Sequence, residues 1–269
     1  MDAEPVEGQF GDSLMDRLKP QTAHGGSVES LPGGGRRLSI PAGPAGHYRL
    51  AQLDDTRNLR RRDFNWQSPC VLTLRARVSD PDLPGTWGFG LWNDPFSASL
   101  GLGGGTRKLP ALPNAAWFFH ASPANALSLR DDLPANGFLA AGFSSRNLSP
   151  FLYPPAVLAA PLLAWRVTAR WLRRAARRWI REDSTRLNHD PTAWHDYRLG
   201  WRLDGAVFQV DGQSVMESSL APRCRLGLVI WIDNQFAAFK PDGTLKYGVQ
   251  ENPTPAWLEV ADLNIESGG

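Results

Sequence analysis

Cysteine is scarce in this sequence, and so is the chemistry that depends on it. Cys70 and Cys224 are the only two among 269 residues. They lie far apart, each in a strand-like run, and read as reduced core thiols rather than a disulfide framework. There is no CxxC, no HxxxH and no carboxylate cluster at ligand spacing, so no metal site and no cofactor is implied. Gly101-Leu102-Gly103-Gly104-Gly105 lacks the following helix and lysine of a phosphate loop. The chain does not open with a basic region followed by an apolar run, so no secretory signal is visible and the expected location is cytoplasmic. Acids are missing from one long region: between residues 95 and 181 only Asp131 and Asp132 occur. Residues 151–181 hold seven arginines and no acid, so the net charge of +2 conceals a body at −5 outside that segment.

What is present points to a turn-rich, aromatic fold. Gly 26 and Pro 22 exceed what a helix bundle carries, and 11 Trp with 12 Phe supply an ample core. From residue 70 the sequence alternates. Leu72, Leu74, Ala76 and Val78 interleave with Val71, Thr73, Arg75 and Arg77, the pattern of a half-buried strand. Tyr197, Leu199, Trp201 and Leu203 repeat it before Asp204-Gly205, then Ala206, Phe208 and Val210 before Asp211-Gly212. An Asp-Gly between alternating runs signals a hairpin, because both positions tolerate positive φ. Leu226 to Ile232 and Leu258 to Ile265 add strands. Short strands with frequent turns indicate a sandwich or jelly roll. Residues 1–46, rich in Gly and Pro, form an N-terminal arm unless part of them returns to the sheet. The sandwich then spans 47–269, interrupted by an insertion at 151–183.

That insertion has helical periodicity. On a wheel with Trp165 at zero, Leu158, Leu162, Ala169, Leu172, Ala176, Trp179 and Ile180 fall within about 60°. Arg166, Arg170, Arg173, Arg174, Arg177 and Arg181 fall between about 80° and 180°. Pro161 suits the first turn of such a helix. An apolar face of Leu158, Leu162, Trp165, Leu172 and Trp179 beside Arg166, Arg170, Arg173 and Arg177 fits an anionic membrane surface. Phosphate binding would leave that apolar face without a home, so nucleic acid is excluded as a partner. The plain alternative is a helix docked on the sandwich with a solvated basic face. The stretch is too short and too broken by proline to span a bilayer.

Three stretches resemble the family 16 glycoside hydrolases, a concanavalin A-like jelly-roll family. Leu74-Arg75-Ala76-Arg77-Val78 with Gly85-Thr86-Trp87-Gly88-Phe89-Gly90-Leu91-Trp92 is similar to two of its strands. Trp194-His195-Asp196-Tyr197-Arg198-Leu199-Gly200-Trp201, running to Phe208-Gln209-Val210-Asp211-Gly212, is similar to its hairpin. Trp257-Leu258-Glu259-Val260 through Ile265-Glu266 resembles its closing strand. The resemblance implies an E-x-D-x-(x)-E catalytic strand between them, with two carboxylates roughly 5 Å apart across the glycosidic bond. The matching place reads Ala116-Trp117-Phe118-Phe119-His120-Ala121-Ser122, with no carboxylate.

The candidate site follows. His120 is the one titratable group in that strand, a candidate acid or base if it faces the concave side. Trp92, Trp117, Phe119, Phe143, Trp201 and Trp231 are the aromatics that the resemblance places along the cleft, with Asp233 and Asn234 as its polar end. Neighbours of Phe, Leu, Ala and Gly suit a hydrophobic or lipid-like ligand, since sugar clefts need many hydrogen-bonding groups. The combined expectation is an all-β, concanavalin A-like jelly-roll β-sandwich with an inserted amphipathic α-helix. It is peripheral to the membrane and binds a lipid-like molecule. A divergent family 16-like enzyme or a lectin-like carbohydrate-binding module is the alternative.

Overall fold

A computed structural model describes residues 13–95, 111–146 and 165–268. After a short helix α1 (Leu14–Arg17) the chain forms β1 (Lys19–Ala23), β2 (Ser27–Ser30), β3 (Arg36–Ile40) and β4 (Leu50–Asp54). A 3₁₀ turn at Arg61–Asp63 precedes β5 (Cys70–Val78), β6 (Thr86–Trp92), β7 (Ala115–Ala121) and β8 (Gly137–Ser145). Helix α2 (Arg166–Ala176) leads into β9 (Ile180–Arg186), β10 (His195–Trp201), β11 (Ala206–Val210) and β12 (Gln213–Ser218). The chain closes with β13 (Gly227–Asp233), β14 (Gln235–Phe239), β15 (Leu245–Val249) and β16 (Ala256–Ser267).

Two seven-stranded antiparallel sheets stack, in the orders β1-β4-β13-β6-β7-β8-β9 and β12-β11-β10-β5-β16-β3-β2, while β14 and β15 pair as a separate hairpin. Residues 19–40 thus form strands of both sheets, and the sandwich begins well before residue 47. The Gly/Pro stretches that read as an arm are the turns between those strands. Gly33, Gly34 and Gly35 all sit at positive φ, where glycine pays no steric penalty.

Alternation builds the core. Leu72, Leu74, Ala76 and Val78 of β5 face Tyr197, Leu199 and Trp201 on β10 and the inward residues of the opposing sheet. Phe118 of β7 crosses the gap to meet Tyr197 and Phe208 edge-on, at centroid distances of 5.1 and 5.3 Å. Each such fully buried side chain contributes on the order of 1.5–3 kcal/mol. Asp211 and Gly212 carry φ of 49° and 76°, the hairpin geometry that the dipeptide implies. The turn at residues 202–205 closes instead through an Arg202 N–H donated to the Gly205 carbonyl, and Leu203 ends up exposed.

Cys70 and Cys224 are free thiols, and burial pushes their pKa values up to about 12 and about 11. A thiol reagent at neutral pH is therefore expected to leave Cys70 unmodified in the folded chain and to label it on unfolding. Rapid native labelling of Cys70 would contradict its placement in the core.

Candidate functional site

The outer face of the first sheet is a second apolar cluster, separate from the inter-sheet core. Parity decides its members. On β7 the residues Ala115, Trp117, Phe119 and Ala121 face outward, while Ala116, Phe118 and His120 face the other sheet. Leu139, Ala141 and Phe143 of β8, and Val229 and Trp231 of β13, continue the same surface. Trp117 sits at its centre, with ring centroids 5.4 Å from Phe119, 5.4 Å from Trp231, 6.1 Å from Phe143 and 6.2 Å from Trp92. Trp92 and Trp231 lie parallel within 5°, their centroids 6.3 Å apart.

Two glycines make this floor. A Cβ on Gly88 would come within 2.8 Å of both the Trp231 ring and Phe119 Cβ. One on Gly90, whose φ is +153°, would come within 2.5 Å of Trp117 Cα. Strand β6 therefore gives its outward space to the indoles of its neighbours. Among the described residues, the Nε1 atoms of Trp92 and Trp117 are shielded from solvent without a hydrogen-bond partner, as are those of Trp87 and Trp201 in the inter-sheet core. Buried donors are nearly always satisfied, and of these four indoles Trp92 and Trp117 are the two on the outward face.

One end of the face is polar. Trp231 Nε1 donates to Thr86 Oγ1 at 2.9 Å, and that hydroxyl donates to Asp233 Oδ1 at 2.9 Å. The backbone N–H groups of Thr86 and Gln235 also donate to Oδ1, and the Tyr48 hydroxyl reaches Oδ2 at 3.4 Å. Burial outweighs these hydrogen bonds and pushes the Asp233 pKa up to about 7. Burial, with Asp233 beside it, also raises Tyr48. Asn234 is fully enclosed and acts as a clamp. Its Oδ1 accepts from the Arg49 N–H, and its Nδ2 donates to the carbonyls of His47 and Gln250.

Three carboxylates project from the strands of this face: Asp54 on β4, Asp233 on β13 and Glu182 on β9. Asp54 is saturated by Gln21, Gln52 and both donors of Thr56. Glu182 accepts from Ser128 Oγ and the Arg130 N–H, and burial raises its pKa. Strand spacing and rise place even the nearest two, Asp54 and Asp233, about 14 Å apart. Glycosidase pairs stand roughly 5–9.5 Å apart. Among the described strand residues of the face, no pair meets that geometry. On the other sheet, a groove of about 340 Å³ is lined by Thr73, Arg75, Asp196, Arg198 and Gln209. Its Arg75 is already shared between Asp196 and Asp262.

No protein-family model matches the chain, and no curated protein matches it. Solved structures do. An endo-beta-1,4-glucuronan lyase from the fungus Trichoderma reesei aligns over 94% of this chain and 91% of its own, at 10% identity and a TM-score of 0.50. A Bacillus licheniformis beta-glucanase aligns over 96% and 95%, at 11% identity and a TM-score of 0.48. A legume lectin-like domain from Entamoeba histolytica aligns over 93% and 90%, at 9% identity and a TM-score of 0.45. The fold is a concanavalin A-like jelly-roll sandwich. At such identities the likeness is one of fold.

Within that sandwich, Trp92, Trp117, Phe119, Phe143, Trp231 and Asp233 lie on one face. Asn234 does not join them, being consumed by backbone contacts. Trp201 is a correction. It pairs with Cys70 in the second sheet and points into the inter-sheet core, so it lines no cleft. His120 is another. Its ring stacks on Trp87 in the core at 5.6 Å, and Nε2–H donates to the Leu83 carbonyl. Burial lowers its pKa, and its place in the core leaves it no access to a ligand on the outer face.

The helix departs further from expectation. Leu158 and Leu162 lie outside the described residues. Helix α2 ends at Ala176, and Ile180 and Arg181 belong to β9, paired with Ser145 and Ser144. Nor are the arginines all outward. Arg173 is buried, donating from Nη1 to Asp131 (2.7 Å), from Nη2 to the Ser128 carbonyl (3.0 Å) and from Nε to the Phe239 carbonyl (3.0 Å). Arg177 donates to Asp131 and to the Leu129 carbonyl. These two arginines hold the Asp131 carboxyl below its usual range. Leu172 is half-buried, while Trp165, Arg166, Arg170 and Trp179 are exposed. Arg173 and Arg177 thus bind the 128–131 loop, and Leu127 of that region packs on the aromatic face.

Sequence reasoning missed Thr86 and Tyr48, which hold Trp231 and Asp233, and Glu182 on a strand that looked helical. The alternation of Gly88 and Gly90 with Trp87, Phe89 and Leu91 was the available signal for the floor.

Proposed function

We propose that the chain is a carbohydrate-binding sandwich whose ligand lies against the tryptophans of this outer face. The observation that carries this reading is the cluster of Trp92, Trp117 and Trp231 rings on the outward face, with Trp92 and Trp231 parallel and the Trp92 and Trp117 N–H groups unpartnered among the described residues. Sugar rings present C–H faces that stack on indoles and oxygens that accept their N–H groups, so one ligand class uses both features. Glucanases, lyases and lectin-like domains with this sandwich fold are consistent with the reading. Divergent kinship with the family 16 glycoside hydrolases belongs to the same proposal. The spacing of Asp54, Asp233 and Glu182 favours binding over two-carboxylate hydrolysis.

Calorimetry with neutral and uronic-acid oligosaccharides tests it. Trp117→Phe keeps an aromatic ring but removes the donor, and it is expected to weaken binding about tenfold, the worth of one hydrogen bond. Failure of the native chain to bind any member of the panel would sink the carbohydrate reading.

A lipid-like ligand is the second reading. It is favoured by the remainder of the face, where Ala115, Ala121, Leu139, Ala141 and Val229 offer no hydrogen-bonding side chain. Native mass spectrometry of the purified chain separates the two by the mass of what stays bound.

A further inference from the structure

The side of α2 turned away from the sandwich carries an unusual pairing of side chains. Val167 and Trp171 are 78% and 66% exposed, and Trp165 and Trp179 at either end are 65% and 42% exposed. Large apolar side chains at such exposure are scattered singly on most surfaces. Here two lie on one short helix and two more flank it. Arg166, Arg170, Arg174 and Arg178 are exposed among them. Arg173 and Arg177 are neutralised by Asp131, whereas Arg166, Arg174 and Arg178 have no ion pair among the described residues. Among the described residues, Arg170 donates to the Asp242 carbonyl.

Residues 167, 170, 171 and 174 follow helical spacing, so apolar and cationic groups occupy the same outward stripe rather than opposite faces, with Arg178 in the turn beyond the helix. Tryptophan has an apolar body with a polar N–H, and arginine an apolar stem with a charged head. Both are suited to a boundary between water and acyl chains. We propose that this outward face of α2 docks on an anionic membrane surface, with the indoles at headgroup depth and the arginines on lipid phosphates. The docked face differs from the one the helical wheel picks out, since Ala169, Leu172 and Arg173 are turned toward the protein. Duplex nucleic acid would engage the arginines yet leave Val167 and Trp171 against solvent or phosphate, so the lipid surface uses more of the patch.

The test is flotation of the full chain with phosphatidylcholine vesicles carrying about a third phosphatidylserine, against phosphatidylcholine alone. The native chain is expected to float with the anionic vesicles and to be released by high salt. The triple variant Arg170→Gln, Arg174→Gln, Arg178→Gln is expected to bind about a hundredfold more weakly, each cation being worth roughly fivefold. Trp165→Ala with Trp171→Ala should lose about tenfold, with little salt dependence in the loss. All five positions are exposed, so an unchanged melting temperature certifies the fold. No flotation of the native chain, or flotation unaffected by both sets, overturns the proposal. So does arginine-dependent binding of a short DNA or RNA duplex without vesicle binding, or a dimer that dissociates in the tryptophan variant.

Discussion

Replacing Arg173 with alanine is expected to destabilise the docking of α2 by about 3 kcal/mol, whereas Arg174→Ala, one residue on, should change stability by less than about 0.5 kcal/mol. The difference comes from what each guanidinium touches. Arg173 is buried and spans three acceptors: Asp131, the Ser128 carbonyl and the Phe239 carbonyl. The ion pair itself is a minor part, because the Asp131 side chain is 53% exposed and such pairs contribute about 0–1 kcal/mol. Two carbonyls left without a donor in a buried setting account for most of the loss, at roughly 1–3 kcal/mol each before water enters. The consequence is local. Amide exchange is expected to show protection lost over residues 166–176 while β5 and β10 stay protected, since those strands pack in the main core. Arg173→Met, which keeps the stem but not the donors, should behave like alanine. Equal stability of the Arg173 and Arg174 variants would mean that the inward arginine does not hold the helix.

The same residue shows where sequence stops. Alternation exposed β5, β10 and β11 because a strand with one face on a core must repeat every second residue. Alternation fixes which residues share a face, and says nothing of which face meets solvent and which meets the other sheet. Trp201 and His120 were misplaced for that reason. Trp117 and Phe119 share a face by parity, and His120, one step on, takes the opposite one. For α2 the wheel sorted Arg173 outward because a buried cation is costly without partners. Those partners lie 42 to 66 residues away in sequence, at Asp131, Ser128 and Phe239. β9 was invisible because its Arg181-Glu182-Asp183-Ser184 run is polar, as suits a strand at the edge of a sheet. The aromatic floor was largely legible, through the tryptophans themselves. The polar end was half legible: Asp233 stood out, while Thr86 and Tyr48, which set its state, come from distant strands and loops.

Asp233 is expected to make the chain lose stability as pH rises from about 4 to about 7, and Asp233→Asn should abolish that loss. Its pKa in the folded chain is raised to about 7 because burial disfavours the charged form, and the donors of Thr86, Gln235 and Tyr48 only partly offset this. Unfolded, the group titrates near pH 4. Below that value both states hold the proton, and the stabilisation is fully present. Between the two values only the folded state holds it, so each pH unit there removes about 1.4 kcal/mol of stability. Above about pH 7 both states are ionised and the loss levels off, at an upper bound on the order of 4 kcal/mol. Asparagine has the same shape, accepts from Thr86 and Gln235 through Oδ1, and donates toward Tyr48. The quantity to measure is the difference in unfolding free energy between variant and native chain at pH 4, 6 and 8, since other titrating groups cancel in it. It should move in favour of asparagine by about 2–4 kcal/mol across that range. A flat difference would mean that Asp233 stays ionised in the folded state. The result bears on the site directly. Trp231 is held by Thr86, and Thr86 by Asp233, so ionisation at this carboxyl acts on the ring that shares the floor with Trp92 and Trp117.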